Sequence, residues 1–287
     1  MITLGNFQLH LIQESMTQMD AGGAFGLVPR GLFSRFYPLN VEQNTVPMPS
    51  NLLLVQTGTQ NILIDSGNGD KIPDKLRELF HLEHPRGTML EALNRLGLTA
   101  ADIHLVINTH LHNDHCGGNT SIGADGSIVP MFPNAEYVTQ RREFEDASHP
   151  NERNRATYLA DNFAPLLENG QMRLLDGDTD LAPGIRGVVT PGHTPGHMSV
   201  LLESGGEHAM FVCDLASFAV HFERLGWMTA YDIEPMITLE SKRKWQQWAL
   251  DTNALLFFPH DAVRPVGRYV PVEGGKGAVV EINVEFA

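Results

Sequence analysis

Four short apolar segments constrain this chain more than any other feature. They are "HLVIN" (His104–Asn108), "IRGVVT" (Ile185–Thr190), "AMFVC" (Ala209–Cys213) and "ALLFF" (Ala254–Phe258). Each is too short for a stable helix and rich in β-branched or aromatic side chains. Strands buried on both faces read this way. Helical patterns alternate with strand patterns. In "TMLEALNRLG" (Thr88–Gly97), Thr88 and Glu91 form a capping box, Leu90, Leu93 and Leu96 share a face, and Gly97 can end the helix. Further helices are expected over Glu152–Glu168 and Leu239–Leu250, the second with Trp245 and Trp248 on its core side. "NLLLVQTGTQNILIDSG" (Asn51–Gly67) reads as two strands around the turn Thr57–Gln60. The alternation argues for an α/β class, and no linker, repeat or low-complexity block divides residues 1–287. One domain is expected.

Each of the four segments runs straight into residues that bind metals. The first leads to "NTHLHNDHCGG" with His110, His112, Asp114 and His115; the second to His193; the third to Asp214; the fourth to His260. In open α/β sheets, functional side chains gather beyond the carboxyl ends of strands, so residues far apart in sequence can meet there. In an extended segment His110, His112 and Asp114 share a side, while His115 points away unless the chain turns. Asn113 and the pair Gly117–Gly118 supply a chain that can turn. Imidazole and carboxylate suit zinc and similar first-row ions. Five histidines and two aspartates exceed the needs of one tetrahedral ion and suit two ions about 3.5–4 Å apart. The alternative is that these histidines only cap turns or orient other groups.

Charge and cysteine content bound the partners. The formal net charge of −14 argues against nucleic acid and against an anionic membrane surface. Cys116 and Cys213 are too few for a disulfide framework, and each neighbours a candidate ligand. The opening "MITLGNFQLHLIQESM" lacks the pattern of a signal peptide, and no apolar run reaches membrane-span length. A cytoplasmic protein acting on a small molecule is expected.

The stretches "THLHNDHCGG", "TPGHTPGH", "FVCDL" and "FPHD" together resemble the metallo-β-lactamase superfamily. The resemblance implies a four-layer αββα sandwich with a binuclear site along one edge. It implies that His110, His112 and His193 hold one divalent ion, that Asp114, His115 and His260 hold the other, and that Asp214 bridges them. Zinc is the expected metal, with manganese, iron or cobalt accepted by the same donors. The implied chemistry is hydrolysis by a metal-bridging hydroxide, with Asp114 also able to pass a proton to the leaving group. Asp65 in "ILIDSG" and His197 in "PGHTPGH" are expected to orient ligands.

The bridging position separates the branches of the family. True β-lactamases of this fold carry Cys or Ser where this chain has Asp214, which argues against penicillin hydrolysis. Diiron flavoprotein relatives carry Glu where this chain has His112. Glyoxalase II relatives end in a basic helical segment, whereas "GRYVPVEGGKGAVVEINVEFA" reads as turns and a strand. "DAGGAFGLVPRGLFSR" (Asp20–Arg35) and "DLASFAVHFERLGWMTAYDIEP" (Asp214–Pro235) resemble the lactonase and organophosphate-hydrolase group. That likeness makes Phe25, Leu27, Phe33, Leu215, Ser217, Phe218 and His221 candidates for the substrate pocket; core or homodimer contacts are the alternative for the apolar ones. Ser217 stands where acyl-homoserine lactonases usually place a tyrosine that holds the substrate carbonyl, and it keeps a hydroxyl. The expectation is a lactonase or esterase with phosphotriesterase side activity. The alternatives are a glyoxalase II-like thioester hydrolase, a mononuclear iron persulfide dioxygenase and a non-catalytic metal-binding scaffold.

Overall fold

The computed structural model describes residues 1–272 and 276–287. The first sheet contains β1 (Ile2–Leu4), β2 (Phe7–Asp20), β3 (Thr45–Gln56), β4 (Asn61–Ile64) and β5 (Leu105–Ile107). After a small hairpin of β6 (Thr120–Ile122) and β7 (Ile128–Pro130), β8 (Glu136–Gln140) and β9 (Met172–Leu175) complete it. The second sheet runs in sequence order through β10 (Thr179–Ala182), β11 (Ile185–Val189), β12 (Met198–Ser204), β13 (Glu207–Phe211), β14 (Leu255–Phe257), β15 (Val266–Val272) and β16 (Lys276–Glu281).

Three apolar clusters make four layers. Leu9, Leu53 and Ile64 of the first sheet meet Val200, Phe211 and Phe257 of the second in the central core. The outer face of the first sheet packs Leu63 and Tyr137 against Met89, Leu93, Phe163 and Leu166. The outer face of the second packs Met210 and Leu256 against Trp245 and Ala249. Helices therefore cover both outer faces of two stacked sheets, the αββα arrangement.

The local expectations fare unevenly. The helix Met89–Arg95 has its capping box, with Thr88 N donating to Glu91 Oε2 at 2.7 Å, and Gly97 follows at φ 75°. The turn Thr57–Gln60 joins β3 to β4. The expected helix Leu239–Leu250 runs longer, over Pro235–Thr252. Pro235 opens it and Asn253 closes it in the left-handed conformation. Trp245 is buried there, while Trp248 is half-buried against the same cluster.

Two expectations are corrected. Glu152–Glu168 is not one helix: it is turns, a 3-10 turn at Ala160–Asn162, and a short helix at Ala164–Glu168. Pro165 has no backbone N–H and tolerates only a helix start, so the helix begins beside it. Upstream, Thr157 O is spent on Asn113 N and the Tyr158 hydroxyl on Glu143. Among the four strand segments, β11 is not buried on both faces, because Arg186 points outward to Asp180 at 3.1 Å. It is antiparallel to both neighbours, whereas β4–β5, β5–β8, β8–β9 and β13–β14 pair in parallel. The tail, read as turns and a strand, forms β15 and β16, which pair antiparallel; residues 273–275 between them lie outside the described residues.

No described helix is long and apolar enough to cross a membrane.

Candidate metal centre

The seven residues meet at one end of the sandwich, where β5, β11, β13 and β14 terminate. A helical turn at Asn113–Cys116 wraps the chain and brings His115 round to the side of its neighbours. The close packing of this turn needs its glycines. A Cβ on Gly117 would lie 2.1 Å from Asn68 O, and one on Gly118 would lie 2.2 Å from Ser66 O.

The side chains sort into two groups around Asp214. In the first, His112 Nδ1 lies 3.1 Å from both His110 Nε2 and His193 Nε2. In the second, His115 Nε2 and His260 Nε2 are 3.0 Å apart, and Asp114 Oδ2 lies 3.7 and 3.6 Å from them. Within each group the potential ligand atoms lie within 4.8 Å of one another. Asp214 stands between the groups. Its Oδ2 is 3.3 Å from His193 Nε2 and 3.9 Å from His110 Nε2, and its Oδ1 is 3.3 Å from His260 Nε2.

The outer ring nitrogens are committed elsewhere. His115 Nδ1 donates to Asp65 Oδ2 at 3.0 Å, His193 Nδ1 to Asp232 Oδ1 at 3.0 Å, and His260 Nδ1 to the Pro49 carbonyl at 2.8 Å. Those bonds place a proton on the outer nitrogen of each ring and turn the inner nitrogen toward the centre. Asp65 is held in turn by the N–H and hydroxyl of Thr109 and sits at φ 59°. His197 holds the backbone of Asp214: its Nδ1 donates to the Thr190 carbonyl and its Nε2 accepts the Asp214 N–H at 3.1 Å.

A family model described as the metallo-β-lactamase superfamily matches residues 45–260. The chain belongs to this superfamily. An N-acyl homoserine lactonase from a Bacillus species is 29% identical over 225 residues, covering 75% of this chain and 82% of the relative. A probable metal-dependent hydrolase from Staphylococcus aureus superposes with a TM-score of 0.87 at 28% identity, over 99% of this chain and all of the other. AidC, a dizinc quorum-quenching lactonase, superposes with a TM-score of 0.76 at 23% identity, over 99% of this chain and 97% of its own. The protein is a hydrolase of the metallo-β-lactamase superfamily, and divalent metal ions are the cofactor that membership points to.

Electrostatics fit a cation here. Burial would raise the Asp214 carboxyl, but His260, His193 and His115 outweigh it and hold it well below the usual carboxylate range. Burial and the neighbouring rings push His110 and His112 well below the usual histidine range. Asp214 is thus ionised and His110 and His112 neutral, as a metal needs. Burial disfavours charge on His115 and His193, but neighbouring anionic groups raise both above the usual histidine range, so an incoming ion would displace a proton from each. Burial pushes the thiols of Cys116 and Cys213 upward, away from the thiolate form. Cys116 Sγ donates to the Leu111 carbonyl at 3.2 Å, and Cys213 packs beneath His110 and His115.

The pocket candidates separate. Ser217 is buried, and its hydroxyl donates to Asp214 Oδ1 at 3.1 Å. Phe25, Phe33 and Phe218 are buried in one stack, with Phe25 4.3 Å from Phe33 and 5.3 Å from Phe218 between ring centroids. His221 is wedged edge-on against Phe25 and Phe218, and neither of its ring nitrogens has a hydrogen-bond partner among the described residues. Leu215 is buried under the second sheet's outer helix, and Leu27 is fully exposed. Asp232 and Glu143 were not singled out from the sequence. Asp232 could have been, since it opens the "DIEP" that ends the Asp214–Pro235 stretch. Glu143 sits in the charged run "RREFED", which reads as a solvated helix face.

Proposed function

We propose that the chain opens lactone rings, or cleaves comparable uncharged esters, with two divalent ions held at its strand ends. His110, His112 and His193 would hold one ion, Asp114, His115 and His260 the other, and Asp214 would touch both. One observation carries this reading. His115 Nε2 and His260 Nε2 face each other at 3.0 Å while both outer nitrogens donate elsewhere. Two inner nitrogens aimed at one point, with both outer nitrogens donating elsewhere, are the arrangement of two ligands to one ion; a proton between them fills that place when the ion is away.

Bound there, divalent ions supply Lewis acidity toward a carbonyl oxygen and water activated near neutral pH. The chain's own groups do the rest. Asp65, Asp232 and the Pro49 carbonyl hold the rings in the tautomer that presents lone pairs inward. Asp114 is the most open of the seven, with 28% of its side chain exposed, against 7% for Asp214 and 2% for His260. Its carboxylate can therefore take the proton that the attacking water gives up and pass it to a leaving alkoxide at the mouth. The buried thiols are spared a nucleophilic role. Ser217 serves the bridging carboxylate in this arrangement, since its hydroxyl already donates to Asp214.

An uncharged lactone is favoured over an anionic substrate by the net charge of −14. The names of the curated relatives point the same way. The test is a panel of lactones, thioesters, aryl esters and phosphotriesters on metal-quantified protein. Lactone ring opening should be fastest, with phosphotriesters turned over slowly. Thioester hydrolysis ahead of every lactone would overturn the substrate class.

A further inference from the structure

We propose that Glu143 is a positioning residue that clamps the two loops of the His110, His112 and His193 group at their working separation. The proposal rests on the two-ion reading above. Those loops come from different sheets: His110 and His112 follow β5 of the first, and His193 follows β11 of the second. A centre built across that seam needs the seam fixed to a fraction of an ångström.

Glu143 lies in the first turn of the helix Arg141–Ser148 and is fully buried. Its Oε1 accepts the backbone N–H of Leu111, the residue between His110 and His112, at 3.0 Å. Its Oε2 accepts the hydroxyl of Thr194, the residue after His193, at 2.5 Å. Oε1 also accepts the Tyr158 hydroxyl at 3.0 Å, and the Tyr158 ring packs on His112 with centroids 4.9 Å apart. One carboxylate has room for all three donors. It thus touches the chain beside each ligand of the group and the ring that backs His112. Gly196 lets the second loop reach the helix, because a Cβ there would lie 2.4 Å from Glu143 N. Nothing in this set of contacts touches Asp114, His115 or His260, so the clamp acts on one group and not the other.

The test is cobalt(II) titration of the metal-stripped full chain, with thermal melting as a folding control. The variants are Glu143→Gln, Glu143→Leu, Thr194→Val and, as the reference for the first group, His193→Ala. Two binding steps are expected for the wild type, one of them lost in His193→Ala. Glu143→Leu and Thr194→Val should weaken that same step by about 10–100-fold and leave the other unchanged. Glu143→Gln, which keeps an acceptor for Leu111 and a partner for Thr194, should restore most of it. If Glu143→Leu fails to fold, Thr194→Val, which loses only a hydroxyl, carries the test. Unchanged binding in the folded variants, or equal weakening of both steps, would overturn the clamp while leaving the two-ion reading intact. A wild-type chain that binds no cobalt would overturn both.

Discussion

His115 and His260, 145 positions apart in the chain, point their Nε2 atoms at each other across 3.0 Å. Moving either ring's outer proton inward would cost it a hydrogen bond. His115 would give up Asp65, and His260 would give up the Pro49 carbonyl. The surrounding fold, through β4, β5 and the segment after β14, holds both rings with their inner nitrogens converging.

Asp65→Ala tests that relationship from one side. Without the carboxylate, the His115 proton is free to move inward, and the Thr109 N–H loses its acceptor. Affinity for the ion of the His115 group should fall by about 10–100-fold, read by competition with a chelator. Asp65→Asn, which still accepts, should fall less. Equal affinity in wild type and Asp65→Ala would mean that the tautomer lock has no role.

Ser217→Ala separates substrate binding from support of the bridge. The hydroxyl is buried and already donates to Asp214. Its loss should lower kcat while KM for a lactone stays within about twofold, the pattern of a group that does not hold the ground-state substrate. A large rise in KM at constant kcat would show that Ser217 contacts the substrate.

His221 gives a pH signature. Burial holds its pKa at about 3, against an ordinary value of 6.5, with Lys242 adding to the effect. Between those values the unfolded chain takes up a proton that the folded chain refuses. Stability therefore falls as pH drops below 6.5. His221→Phe removes this term. Relative to the variant, the wild type should lose about 1 kcal/mol of unfolding free energy between pH 7 and 5.5, measured by urea titration. A difference that does not change with pH would contradict the neutral buried ring.

What could be read from the chain alone follows from where each signal resides. The strand-end ligands were legible because a buried strand is a local pattern and a histidine just beyond it is conspicuous. His115 needed the turn at Asn113–Cys116, which the glycines and Asn113 foreshadow but do not compel. The atoms that orient the ligands were harder. The Pro49 carbonyl belongs to the backbone and carries no residue-level signal. Glu143 lies in a run of charges and becomes a buried acceptor only when two distant loops pack on its helix. The helix expected over Glu152–Glu168 failed because Pro165 and the tertiary bonds of Thr157 and Tyr158 outweighed local propensity. Phe25 and Phe218 face a stack of their own rings, a partnership that hydrophobicity alone does not distinguish from a pocket wall.

The most direct test of the two-ion centre is metal content per chain, with lactone hydrolysis measured on the same samples. Wild type, His260→Ala and Asp214→Ala suffice. Two divalent ions are expected in the wild type, one in His260→Ala, and fewer than one in Asp214→Ala. Hydrolysis should fall at least about 100-fold in both variants, the several kcal/mol that metal assistance supplies. Asp214→Ala protein that keeps both ions and full hydrolysis would contradict the assignment, as would an active wild type that holds none.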